Sequence, residues 1–154
     1  MTPATIQQRF GIAPMSDKQI ADVAAFEKQV LACPQVDIRT HHVLHAGMYS
    51  RTIMIPAGVV LTGALIKIPT LLLIDGDVLI GRGEESVHVT GNAVIPASRG
   101  RKQAFLTYED TIVTMVFPTS ATTVEQAEAE FTDDTDMLFS RRDPELNTIV
   151  ITGE

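Results

Sequence analysis

Between Ile53 and Gly91 the chain reads IMIPAGVVLTGALIKIPTLLLIDGDVLIGRGEESVHVTG, a succession of short Val, Ile, Leu and Thr runs cut by glycine and proline. Runs of this length, rich in β-branched residues and bounded by turn formers, read as consecutive strands rather than helices. Further segments of the same kind are Asp37 to Leu44, Tyr49 to Ile55, Val59 to Lys67, Ser86 to Thr90, Ala93 to Pro96, Gln103 to Tyr108 and Thr111 to Phe117. Their spacing is that of an all-β barrel or sandwich.

Asp75-Gly76 is the strongest local turn signal, because a type I′ turn needs positive φ at both central residues. It predicts a hairpin pairing Thr70 to Ile74 with Asp77 to Ile80. Leu71, Leu72, Leu73 and Ile74 form an unbroken apolar run, which implies that both faces of this strand are covered, one by the barrel interior and the other by a helix, another sheet or, most economically, a partner chain.

Two helices flank the strands. Ser16 and Gln19 stand at capping-box spacing, Met15 and Ile20 at the positions of a hydrophobic staple, and Ile20, Val23, Ala24, Glu27, Val30 and Leu31 make one mostly apolar face before Pro34. Thr123 and Gln126 repeat the capping spacing ahead of a helix running to Phe131. Beyond the charged link from Asp133 to Glu145, Leu146 to Thr152 reads as a terminal strand that caps its own sheet or adds to a neighbour's edge. The divisions are therefore an arm and helix over 1–35, a barrel over 36–118, and a helix with an acidic tail and final strand over 119–154. At 154 residues this is one domain with appendages, and with no Trp its core is mainly Val, Ile, Leu and Ala.

The net charge of −7 argues against a nucleic-acid binder, which needs clustered cations to neutralise phosphates. From Glu125 to Glu154 nine acids face only Arg141 and Arg142, the pattern of a solvated surface. Cys33 is the sole cysteine, so no intrachain disulfide forms, and it reads as a lone buried thiol. No basic-then-apolar leader and no apolar stretch of about eighteen residues is present, so neither secretion nor a membrane span is expected.

His41-His42, Gly47-x-Tyr49-x-Arg51, Ile55-Pro56-Ala57-Gly58, Leu61-Thr62-Gly63, Lys67, Gly76 and Tyr108-Glu109-Asp110 occur in the order seen in the cupin superfamily. From about Ile38 to Phe131 the chain resembles that superfamily, and in particular the small cupin-like proteins of bacteriophages and prophages. The resemblance implies a mainly β fold, a cupin-like double-stranded β-helix or jelly-roll barrel with an N-terminal and a C-terminal helix. Metal-bearing cupins converge His-x-His, a Glu and a later His on one ion. The stretches matching those ligands here are Ala64-Leu65-Ile66-Lys67, Ile68-Pro69-Thr70 and Pro96-Ala97-Ser98-Arg99-Gly100-Arg101. None supplies a ligand set, so neither a metal nor another cofactor is expected, and metal-dependent activities do not carry over.

Several other side chains carry groups capable of chemistry. On a strand His41 and His45 share a face about 13 Å apart while His42 points oppositely, so the three cannot share one ion. His88, between Val87 and Val89, faces solvent or an interface. Tyr49, Arg51, Lys67, Arg101 and Tyr108 are candidates to line a cavity and hold an anionic ligand, against the simpler reading that Arg51 or Lys67 pairs with Glu109 or Asp110 at the rim. Arg99, Arg101 and Lys102 around Gly100 read as a solvated turn. Metal-free sugar epimerases of this fold use a His and Tyr pair, which His42 and Tyr108 would have to supply; no P-loop, nucleophile elbow or dinucleotide fingerprint occurs.

The leading expectation is a non-catalytic homo-oligomer of phage type, a virion or assembly component acting through its surfaces, with other phage structural proteins as partners. It would reside in the bacterial host cytoplasm or in the virion. The alternative is a binding module that captures an anionic metabolite or nucleotide in or near the barrel.

Overall fold

The structure, a computed structural model, describes residues 11–154. The first ten residues of the expected N-terminal arm lie outside them. Its remainder lies on the sheet, where Ile12 donates to the Pro96 carbonyl at 2.9 Å and accepts from Ser98 N at 2.8 Å.

Helix α1 (Asp17–Leu31) begins where the capping box requires: Ser16 Oγ accepts from Gln19 N at 3.1 Å, and Gln19 Oε1 accepts from Ser16 N at 2.9 Å. Gln19 and Val23 are buried on its inner face, with Ile20, Ala24, Glu27 and Val30 half-buried beside them, while Leu31 is exposed. Cys33, just past the helix end, is exposed rather than buried.

Eight strands follow: β1 (Thr40–His45), β2 (Met48–Ile55), β3 (Val60–Thr62), β4 (Thr70–Arg82), β5 (Glu85–Ala97), β6 (Ala104–Thr107), β7 (Thr111–Pro118) and, after the C-terminal helices, β8 (Asn147–Ile151). They form one sheet in the order β3-β6-β4-β7-β2-β1-β8, with β5 on the other edge of β4, curled into a half-barrel. All described pairings are antiparallel except β8 beside β1, so the terminal strand caps its own sheet.

The Asp75-Gly76 hairpin does not form. Both residues lie inside the 13-residue strand β4, which pairs along its whole length with the equally long β5, and the turn falls at Gly83-Glu84. Gly76 instead marks where β4 changes its second neighbour, from β7 over Leu71 to Asp75 to β6 over Val78 to Gly81. A side chain there would meet Thr111, its Cβ lying 2.7 Å from the Thr111 Cα. Glycine is needed for close approach at a barrel corner, not for a turn.

Leu72 and Ile74 are buried, whereas Leu71 and Leu73 point outward and are exposed in the single chain. One continuous core collects Leu72, Ile74, Val78, Ile80, Ile95, Val113 and Phe117 from the sheet, Ile12 from the arm, and Ala127, Phe131 and Leu138 from the C-terminal segment. It thus runs through all three sequence divisions.

After β7, Thr123 Oγ1 caps α2 (Val124–Phe131) by accepting from Gln126 N at 3.2 Å; the Gln126 side chain, however, accepts from Thr122 N rather than completing the box. The charged link holds a 3-10 turn (Thr135–Met137), a short helix α3 (Phe139–Arg142) and a second 3-10 turn (Pro144–Leu146). No helix among the described residues is long and apolar enough to cross a membrane.

Candidate functional site

The curl of the sheet, α1 and the segment after α2 line a half-open cavity of about 620 Å³, a volume suited to a small organic molecule. Leu72, Phe105, Val113 and Met115 of the sheet, with Phe131 and Leu138 of the C-terminal segment, make its walls mostly apolar. Around it Phe26, Leu31, Val36 and Met137 are exposed, so an apolar rim leads inward.

Four cations, Arg51, Arg101, Lys102 and Arg142, line this cavity against two acids, Glu27 and Asp134, an excess of positive charge in a chain of net −7. Two of the cations are already paired. Lys102 Nζ lies 3.0 Å from Glu27 Oε2 and donates to the Gly63 carbonyl at 2.8 Å, and Arg51 pairs with Glu128.

Arg101 is different. It is 1% exposed, and its guanidinium donates to Ser98 O at 2.8 Å, Thr70 Oγ1 at 2.6 Å and, more weakly, Ile68 O at 3.4 Å, all neutral acceptors. No carboxylate pairs with it among the described residues, and its Nε and the Nε2 of nearby Gln103 are buried donors with no partner there. Burial pushes the Arg101 pKa down to about 10, with no acid to offset it. The solvated turn expected over Arg99 to Lys102 is therefore overturned for two of its cations: Arg99 is exposed, but Arg101 turns into the barrel and Lys102 is covered by α1. The three stretches that the cupin resemblance aligns with metal ligands do converge, since Ile66 N donates to Arg101 O at 2.8 Å and Arg101 reaches Thr70. They bring together a guanidinium and a hydroxyl. Among the described residues no group of three His, Cys, Asp or Glu side chains is placed to hold a metal ion.

Beside the cavity, a buried polar network bolts the C-terminal segment to the sheet. Glu128 on α2, 1% exposed, accepts from Arg51 Nη1 at 2.9 Å, from Arg141 Nε at 2.7 Å and from the Ser140 hydroxyl. Burial alone would raise the Glu128 pKa, but the bonds from Arg141 and Ser140 and the charge of Arg51 outweigh it and hold the carboxyl below its ordinary value. Arg51 also lies over the Phe131 ring, 5.5 Å from its centroid. The acidic stretch expected to be only solvated thus contributes a structural ion pair.

Asn147 on β8 donates to Ser140 O at 2.9 Å through Nδ2, so its Oδ1 faces His42 Nε2 at 3.0 Å and that nitrogen carries the proton. Burial lowers the His42 pKa, keeping the ring neutral, and Nδ1 therefore accepts from Tyr49 Oη at 2.7 Å. The same burial raises Tyr49 to about 12.

No protein-family model matches the chain, and no curated protein matches it. Solved structures similar to it are cupin superfamily proteins. One from Desulfitobacterium hafniense is 10% identical, with 57% of this chain and 83% of that one covered at a TM-score of 0.46. A cupin-2 domain protein from Shewanella frigidimarina is 9% identical over 65% and 98%, at 0.42. The Cnp3 cupin domain of Schizosaccharomyces pombe is 12% identical over 68% and 74%, at 0.45.

Of the five residues singled out in the sequence, the structure brings Arg51 and Arg101 to the cavity wall. Tyr49 is buried in the polar network beside it. Lys67 is exposed and pairs with Asp133 at 2.6 Å, so neither it nor Arg51 meets Glu109 or Asp110; Asp110 instead accepts from Ala57 N at 2.9 Å. Tyr108 is exposed and packs edge-on against His88, whose Nε2 lies 2.6 Å from Asp77 Oδ1, well away from His42. A His42 and Tyr108 pair is therefore not assembled. His41 and His45 are exposed on one face of β1 and His42 is buried on the other, as the alternation requires. Gln103, Glu128 and Asn147 were missed; only the clustering of cations at Arg99 to Lys102 pointed toward any of this chemistry.

Proposed function

We propose that this protein is a binding barrel that captures a small anionic molecule in its interior cavity. The observation that carries the reading is Arg101, a buried guanidinium without a carboxylate partner, in the wall of a mostly apolar cavity of about 620 Å³. An uncompensated buried charge is costly and an anion offsets that cost. Binding rather than catalysis is the reading, because His42, Tyr49 and Glu128, in the polar network beside the cavity, are tied into hydrogen bonds that hold the C-terminal segment to the sheet. Native mass spectrometry of the purified full chain, sprayed before and after mild denaturation, tests it. A released anion, or a raised melting temperature with members of an anion panel, is the expected result; a chain that neither carries nor is stabilised by any anion would end the proposal.

A second reading, a homo-oligomer of phage type acting through its surfaces as a virion or assembly component, is favoured by a separate observation. Leu71, Leu73, Val94, Ile112 and Met54 are exposed on the outer face of adjacent strands β5, β4, β7 and β2, a contiguous apolar patch of the kind that marks an interaction surface. Sedimentation velocity checks it: the wild type should assemble with rising concentration and Leu73→Lys should not, whereas a wild-type chain that stays monomeric would refute it.

A further inference from the structure

Resting on the cavity as a binding site, we infer that its ligand is a monocarboxylate with an apolar body, the carboxylate held between Arg101 and Gln103. These residues are two apart in the chain, just ahead of β6. Both line the cavity, at 1% and 5% exposure. Each keeps one buried N–H donor, Arg101 Nε and Gln103 Nε2, without a partner among the described residues. Buried donors are nearly always satisfied in folded proteins, and a carboxylate offers two acceptor oxygens on one carbon.

Charge narrows the class further. Glu27 is committed to Lys102, and Glu128 to Arg51 and Arg141; of the two remaining guanidiniums in the wall Arg142 is exposed to solvent, which leaves Arg101 as the one that is buried without an acid among the described residues. A carboxylate supplies one negative charge and matches it. A phosphate monoester brings nearly two charges and three acceptor oxygens to two open donors, and would be buried under-neutralised. Leu72, Phe105, Val113 and Met115 of the lining offer nothing for a sugar or a nucleobase to hydrogen-bond and fit a hydrocarbon chain or ring.

Titration calorimetry on the full chain tests this with straight-chain carboxylates from butanoate to dodecanoate, their uncharged amides, inorganic phosphate and adenosine monophosphate. At least one carboxylate should bind roughly tenfold or more tightly than its own amide, a comparison needing no variant. Gln103→Leu should weaken that carboxylate several-fold and Arg101→Met roughly tenfold to a hundredfold, leaving the amide unchanged. Equal affinity for carboxylate and amide would overturn the assignment to Arg101. Binding of phosphate or the nucleotide with silence from every carboxylate would overturn the ligand class while sparing the cavity reading, and silence from all four groups of compounds would remove both.

Discussion

Replacing Gly76 by Ala separates a barrel corner from a hairpin turn. The added Cβ would sit 2.7 Å from Thr111 Cα and 2.8 Å from Thr111 Cβ, on a backbone at φ +154°. Carbon atoms pack at about 3.5 to 4.0 Å, so β4 and the start of β7 must part by roughly 0.7 Å or more. Thr111 is fully buried, and its Oγ1 accepts from Asp77 N at 3.2 Å and donates to Glu109 O at 2.9 Å, so the movement breaks bonds that hold the corner. Overpacking costs about 1–3 kcal/mol and the strained φ about 1 kcal/mol or more, together about 3 kcal/mol. For a chain of this size that lowers Tm by roughly 6–12 °C. Gly91→Ala is the control: its φ is +75° with nothing within 4 Å, so only the left-handed backbone counts, about 1 kcal/mol and roughly 2–4 °C. Differential scanning calorimetry reads both. If the Gly76 variant melts no lower than the Gly91 variant, the corner is not compressed and the reasoning is wrong.

Glu128→Gln leaves the half-buried Arg51 and Arg141 without their countercharge, and should cost about 3 kcal/mol in urea unfolding. Because the folded state holds Glu128 below its ordinary 4.5, wild-type stability from this group is complete above about pH 4.5 and is lost as pH falls through the lower folded value; urea midpoints measured down the acid range should flatten in the variant. His42 is lowered from 6.5, so below that pH the unfolded chain binds more protons and stability declines toward the folded value, while above it the contribution is constant. His42→Gln should remove that slope, and an unchanged slope would mean another group titrates there.

The parts of this protein that were legible one residue at a time are those whose cause is local. Ser16 and Gln19 satisfy backbone donors three residues away, Thr123 does the same for α2, and His41, His42 and His45 take their faces from strand alternation, so these needed no fold to be read. Asp75-Gly76 was misread because a dipeptide preference of a kcal/mol or so yields to the thirteen-residue register between β4 and β5. Lys102 was misread as solvated, and Arg101 was read both as cavity-lining and as part of a solvated turn, for a related reason: their burial is made by Thr70 on β4 and Glu27 on α1, 31 and 75 residues distant. Composition and periodicity by themselves determined a mainly β chain with two capped helices and an aliphatic core. Only closure of the sheet decided which cation lost its solvent without gaining an acid, because desolvation depends on everything packed around a group and not on its neighbours in the chain.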